Sequence, residues 1–228
     1  MLDVTRVEKK FVIDPIGMEL MKRRLSNVMI SDPHNGPDGY TVRSLYFDSI
    51  RDKDYFSKAD GLDIRKKIRL RIYSSQDKNA KLEVKEKADG MQRKRSLSIT
   101  REESEMMLNG EYGFLAEKDD PFALAMYYVM TKELYRPKCI VEYDRYAFIH
   151  TDNNIRVTFD QNLRMATDPK DMFRPVNNMI PVAGASDITL EVKYDGFLYS
   201  SIKSAIGDDL SINISSSKYC RVREHMGF

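Results

Sequence analysis

The stretch from Ile64 to Lys87 constrains this chain more than any other. Side chains of an extended strand point alternately to opposite faces, so Arg65, Lys67, Arg69, Arg71 and Tyr73 share one face, while Ile64, Ile68, Leu70 and Ile72 share the other. Lys66 breaks the alternation. After the polar turn Ser74–Asn79, the next strand repeats the scheme, with Glu83, Lys85 and Lys87 against Leu82 and Val84. Two neighbouring strands thus present one cationic face. An antiparallel sheet often leaves one face to water. Like charges on paired strands, however, repel unless an anion compensates them, and a polyanion such as a phosphate chain is the natural compensator.

The whole chain of 228 residues carries a net charge of only +2, so patterning rather than global charge must create any basic surface, and nucleic acid is not an expected partner. Two cysteines do not form a disulfide framework, no Cys/His cluster has zinc spacing, and no long uncharged apolar run is present. These features predict a soluble cytoplasmic protein with a single domain over residues 1–228.

In chain order, Arg6–Val12 reads as a first strand with Arg6, Glu8 and Lys10 together. Pro15–Met29 reads as a helix with Ile16, Leu20, Met21, Leu25 and Val28 on its apolar face. Thr41–Asp48 is a second strand, followed by a short helix over Asp52–Lys58, the two cationic strands, a turn at Asp89–Gly90, and Gln92–Ile99, where Arg93 and Arg95 add two cations. Thr100 with Glu103 predicts a capping box. Asp120–Pro121 opens a helix whose Phe122, Leu124, Ala125, Tyr128, Val129 and Leu134 are expected in the core. Strands follow at Cys139–Ile149, with Val141, Tyr143 and Arg145 together, at Asn154–Arg164, with Arg156, Thr158 and Asp160 together, and at Thr189–Tyr194, with Glu191 and Lys193 together. Helices over Phe197–Ile206 and from Ser216 or Ser217 close the chain.

Closing such a sheet with its charged faces inward predicts an α+β fold: a closed eight-stranded antiparallel β-barrel with helices packed outside. Its lumen would collect Lys10, Arg65, Lys67, Arg69, Arg71, Lys85, Lys87, Arg93, Arg95, Arg145, Arg156, Lys193 and Lys218, faced by Glu8, Glu83, Asp160 and Glu191. Cations with isolated carboxylates predict a nucleoside triphosphate or polyphosphate bound with magnesium or manganese, which prefer oxygen ligands.

The ordered set Glu8-Lys9-Lys10-Phe11, Arg43-Ser44-Leu45-Tyr46-Phe47-Asp48, Arg69-Leu70-Arg71-Ile72-Tyr73, Leu82-Glu83-Val84-Lys85, Arg93-Lys94-Arg95, Tyr143-Asp144-Arg145, Ile155 to Asp160, Leu190 to Tyr194 and Ser217-Lys218-Tyr219 resembles the VTC-type polyphosphate polymerase domains of the triphosphate tunnel metalloenzymes. The resemblance implies an ATP-dependent transfer of the terminal phosphoryl group onto a growing polyphosphate chain. It implies Lys10, Arg69, Arg71, Lys85, Arg145, Arg156 and Lys218 as the catalytic phosphate ligands, with Arg93, Tyr143 and Ser217 assisting, and Glu191 as the metal ligand. Arg65, Lys67, Lys87, Arg95 and Lys193 join the phosphate-binding set, and Glu8 the metal set, by strand alternation. Arg6 stands where the wider superfamily carries its first acidic residue, which agrees with the polymerase branch rather than the hydrolytic one. Family members in larger assemblies couple a soluble synthase to membrane segments, so a membrane-protein partner that holds the chain peripherally at a membrane is compatible with the resemblance. A tunnel-fold triphosphatase, a nucleotide cyclase and a non-catalytic module for polyphosphate or inositol phosphates are the alternatives. No Walker loop and no Ser/His/Asp or Cys/His constellation is recognisable.

Overall fold

The alternating stretches fold as strands and the periodic ones as helices. The computed structural model describes residues 6–88, 91–175, 178–182, 187–207 and 217–227. In chain order these form β1 (Arg6–Ile13), α1 (Pro15–Leu25), β2 (Ile30–Ser31), β3 (Tyr40–Asp48), α2 (Lys53–Ala59), β4 (Arg65–Ile72), β5 (Asn79–Ala88) and β6 (Met91–Thr100). They continue as α3 (Arg101–Leu108), α4 (Pro121–Lys132), β7 (Arg136–His150), β8 (Ile155–Ala166), β9 (Ile180–Pro181), β10 (Ile188–Asp195), α5 (Ser200–Ile206) and α6 (Lys218–His225). The expected turn at Asp89–Gly90 and the start of a helix at Ser216 lie outside the described residues.

Helix starts follow the local chemistry. Asp14 accepts a hydrogen bond from the Gly17 N–H at 2.7 Å ahead of Pro15, and Asp120 accepts from Phe122 at 2.7 Å and Ala123 at 3.1 Å ahead of Pro121. The Thr100/Glu103 capping box forms in both directions.

The strands pair in the order β1-β10-β8-β7-β3-β4-β5-β6, with β2 on β7 and β9 on β8. β1 and β6 end this order and do not pair with each other among the described residues, which corrects the expected closed barrel to an open eight-strand order. The outer strand explains why closure does not follow from alternation: Met91 to Lys94 of β6 are exposed and carry two adjacent cations, a composition that keeps a sheet edge from pairing.

The described residues form two compact units. The first comprises 6–41, 143–163 and 187–207; its core packs Phe11, Met18, Leu25, Phe148, Val157, Phe159, Leu190 and Ile202. The second comprises 42–142, 164–175, 178–182 and 217–227, with Leu45, Ile68, Leu70, Leu82, Ile99, Met107, Met126 and Met130 at its centre. Burying one such side chain contributes about 1.5–3 kcal/mol.

Two helices turn a different face inward from the one expected. In α1, Met18 and Leu25 are buried while Ile16 and Leu20 are exposed; in α4, Ala123, Met126 and Met130 are buried while Leu124 and Tyr128 are exposed, as is Leu134 beyond it. Residues 122–130 are apolar almost all round, so periodicity there does not choose the phase. The adaptable methionines take the core positions. Ile64 is also exposed, one residue before β4 begins.

Candidate functional site

In the first unit, pairing register rather than sequence proximity assembles the polar face. β1 sets Glu8 opposite Lys193 and Lys10 opposite Glu191, and β10 in turn sets Glu191 opposite Thr158 and Lys193 opposite Arg156. Directly opposite residues share a face, so Glu8, Lys10, Arg156, Thr158, Asp160, Glu191 and Lys193 gather there. Arg145 joins them, its Nε and Nη2 donating to Asp160 at 2.7 and 2.8 Å and its Nη2 to the Tyr143 hydroxyl at 3.3 Å. Gly39 seats this part of β7. Its φ is +95°, and any Cβ would stand 2.2 Å from the Arg145 carbonyl oxygen.

Every carboxylate of this face has a cation at hand. Lys10 pairs with Glu8 at 3.0 Å, and Lys193 with the Oε1 of Glu191 at 2.5 Å. Arg156 donates to Asp32 at 2.7 Å and to the Tyr40 hydroxyl at 2.9 Å. Burial works against the charge of Lys10, but Glu191, Glu8 and Asp160 together hold its pKa above the ordinary value. Burial likewise opposes ionisation of Glu191, and Lys193 and Lys10 outweigh it, holding the carboxyl below its ordinary range. Asp32 follows the same pattern, burial being overcome by hydrogen bonds from His34 and by Arg156.

In the second unit the basic face spans β3 to β6. Register places Ser44 opposite Arg71 and Tyr46 opposite Arg69. It also places Arg65 opposite Lys87, Lys67 opposite Lys85, Arg69 opposite Glu83, Arg71 opposite Lys81 and Lys85 opposite Lys94. On β4 to β6, Glu83 is the one acid at these positions. Arg69 reaches it at 2.7 Å, Arg71 at 3.7 Å, and Lys94 closes on its other oxygen. Burial would raise the Glu83 pKa, but Arg69, Arg71 and Lys94 pull it down to about 2. Arg69 also donates to the Tyr46 hydroxyl at 2.9 Å; the cations around that phenol outweigh its burial and lower its pKa.

α6 meets this face at its N-terminus. Lys67 Nζ donates to the Ser217 hydroxyl at 2.6 Å, and the same oxygen caps α6 by accepting from the Cys220 N–H at 3.5 Å. Lys218 is the first residue of that helix. The helix is held by Tyr219, which stacks on Tyr46 with ring centroids 4.8 Å apart and donates to Asp48 at 2.8 Å. Arg223 adds bonds to Asp52 at 2.8 Å and to the Tyr219 hydroxyl at 2.9 Å.

Arg93 and Arg95 are not on the basic face. Arg93 stands opposite Glu86, while Arg95 pairs with Glu86 at 3.2 Å and lies 5.0 Å from the centre of the Phe122 ring, on the helix-covered side. Lys94 occupies the position expected of them. The signal was present in the expected turn at Asp89–Gly90: two residues between strands would set Ala88 opposite Met91, the register observed, and so make Lys94, not Arg93 or Arg95, the partner of Lys85. Arg65 and Lys87 sit where β4 and β5 end, beside a cavity of about 520 Å³ that Lys66, Glu86 and Arg93 also line. Arg65 donates to the Leu62 carbonyl at 2.9 Å, and Lys87 lies 3.5 Å from Asp63. Tyr46, Lys81, Lys94 and Thr158 were not singled out from the sequence as site residues.

No group of three or more His, Cys, Asp or Glu side chains able to hold a metal occurs among the described residues. A magnesium-like ion needs only one or two carboxylates when phosphate and water fill the rest of its shell. Glu191 and Glu8, close enough to repel each other, fit that requirement.

An antiparallel sheet backed by helices, with basic residues collected on strand faces, defines a fold shared with proteins of known structure. A candidate adenylyl cyclase from Hippeastrum, described as having a dominant triphosphatase activity, has a TM-score of 0.59 and 13% identity over 96% of each chain. A candidate adenylate cyclase from Bacillus halodurans has a TM-score of 0.53 and 11% identity over 93% of each chain. Both likenesses concern the fold. No curated protein matches the chain. A family profile for the VTC domain matches residues 5–226, and the chain belongs to that family. No helix among the described residues is long and apolar enough to cross a membrane.

Proposed function

We propose that residues 1–228 act as one domain with ATP-dependent polyphosphate polymerase activity in the cytoplasm. The observation that carries this reading is the charge arrangement on a chain of the VTC family. Lys67, Arg69, Arg71, Lys81, Lys85 and Lys94 share one face of the second unit with a single carboxylate, Glu83, and Lys10, Arg145, Arg156 and Lys193 accompany Glu191 on that of the first.

In this reading a terminal oxygen of the polyphosphate chain attacks the γ-phosphorus of ATP. The new P–O bond forms as the bond to the β-phosphate oxygen breaks; ADP leaves, and the chain gains one phosphate. The nucleophile is already ionised, so no general base is needed, and the protein's task is positioning and charge neutralisation. Lys10, Arg145, Arg156 and Lys193 bind the reacting phosphates, with Tyr143 orienting Arg145. Arg69, Arg71, Lys85, Ser217 and Lys218 bind phosphate on the second unit. Glu191 and Glu8 would hold a divalent cation, manganese or magnesium, whose chemistry when bound is to neutralise charge on the transferring group.

The test is incubation of the purified chain with γ-labelled ATP and Mn²⁺. A ladder of long, acid-labile labelled chains is expected. Labelled orthophosphate alone would replace this reading with a triphosphatase, the alternative favoured by the description of the Hippeastrum structure.

A further inference from the structure

On β8 the side chains of Val157 and Phe159 are fully buried in the first unit's core, while Thr158 between them turns to the polar face. Thr158 is only 3% exposed, and its hydroxyl has no hydrogen-bond partner among the described residues. Leaving a buried hydroxyl unsatisfied is costly, because its lost hydration is not repaid by a hydrogen bond. Valine has nearly the same shape, is at home in strands and would avoid that cost.

Directly opposite Thr158 stands Glu191. One of its oxygens is taken by Lys193, but Oε2 is 3.9 Å from Arg145 Nη2, beyond hydrogen-bond reach. A buried carboxylate, one oxygen of which Arg145 approaches without bonding, thus faces a buried hydroxyl with no partner among the described residues. Side chains at directly opposed positions have Cβ atoms about 4.5–5.5 Å apart, so one small ion can touch both. Neutral hydroxyls serve as magnesium ligands beside phosphate elsewhere in protein chemistry, where a Ser or Thr oxygen completes a shell made largely by the triphosphate.

We infer that the Thr158 hydroxyl is a ligand of the divalent cation, paired with Glu191 across β8 and β10. The inference deepens the polymerase reading by naming a protein ligand of its metal. It explains why a polar group is kept in an otherwise unsatisfied position, and how a cation site forms without a third acidic residue.

The test compares Thr158→Val and Thr158→Ser in the full chain. Mn²⁺ binding is followed by the loss of the free-ion EPR signal, with and without tripolyphosphate and against tripolyphosphate alone; melting is recorded without metal. Thr158→Val is expected to melt no lower than wild type, to bind tripolyphosphate normally without metal, and to bind Mn²⁺ at least about tenfold more weakly. Thr158→Ser should recover most of that affinity. Unchanged Mn²⁺ affinity in Thr158→Val overturns the inference, and so does a lower melting temperature of that variant without metal, which would mark a structural role. The outcomes separate cleanly from the polymerase reading. If wild type makes polymer while Thr158→Val binds Mn²⁺ normally, the inference alone fails. If wild type makes no polymer while Mn²⁺ binding depends on Thr158, the polymerase reading fails and the ligand assignment stands.

Discussion

Replacing Glu83 by Gln asks how much of the second unit's stability is borrowed from its own counter-ion. The carboxyl is 2% exposed and ringed by Arg69, Arg71 and Lys94, and its pKa falls from the ordinary 4.5 to about 2. A depression of that size corresponds to on the order of 3 kcal/mol. Because the folded-state pKa is lowered, this stability is fully present above pH 4.5 and is lost as the pH falls through about 2. The Gln variant should therefore lose up to ~3 kcal/mol at neutral pH, or roughly 6–12 °C in melting temperature for a chain of this size. Its acid sensitivity between pH 4.5 and 2 should flatten. The freed cations should then favour phosphate: tripolyphosphate is expected to bind about tenfold more tightly, a gain of about 1.4 kcal/mol, and to restore most of the lost melting temperature. Calorimetric titration and thermal melts with and without tripolyphosphate read both quantities. An unchanged melting temperature without ligand, or weaker tripolyphosphate binding by the variant, would refute the reasoning.

Three further outcomes are expected. On the proposed function, Glu191→Gln should lower ATP turnover by at least about a hundredfold while tripolyphosphate binds no more weakly, since the cations remain and lose a competing carboxylate; equal losses in both would mean that Glu191 acts in binding rather than in the transferring step. Burial and the nearby Asp48 push the Asp54 carboxyl up to about 7, so its contribution is complete below pH 3.8 and is lost as the pH rises through about 7; Asp54→Asn should stabilise the protein at pH 8 relative to wild type, and an unchanged pH–stability curve would contradict this. Tyr219→Phe removes a buried hydroxyl that joins Asp48 to Arg223, and should cost about 1–3 kcal/mol in chemical denaturation; a neutral result would mean that water or a rearrangement satisfies both partners.

Most strand faces were legible because alternation is a local property. Arg69, Arg71, Glu83, Lys85, Glu191 and Lys193 fall on the faces that parity alone assigns, since each sits in a strand whose other side is plainly apolar. Parity failed at β6, where Arg93 and Arg95 looked equivalent to the cations of β5; pairing register decides that question, and it depends on counting across a turn rather than along a strand. The phase of α4 was illegible because its apolar residues wrap the helix. Closure was overreached for a different reason: alternation says which side of a strand is polar but nothing about whether the last strand finds the first. Thr158 stayed hidden because a threonine in a strand is unremarkable until its hydroxyl is seen to lack a partner.

The carboxylates seated among the cations bear on movement as well as on affinity. A long polyanion held by bare cations would be gripped at every phosphate, and shifting it by one repeat would mean breaking several strong contacts at once. On the proposed function, Glu83 in the second unit, and Asp160 and Glu191 in the first, would each take back a cation, Arg69, Arg145 or Lys193, as a phosphate departs. No cation need be stranded between two positions of the chain. Within each unit the built-in anions would act like the resident counter-ions of an exchange resin, evening out the grip on successive phosphates so that a bound polyanion neither falls off nor sticks fast.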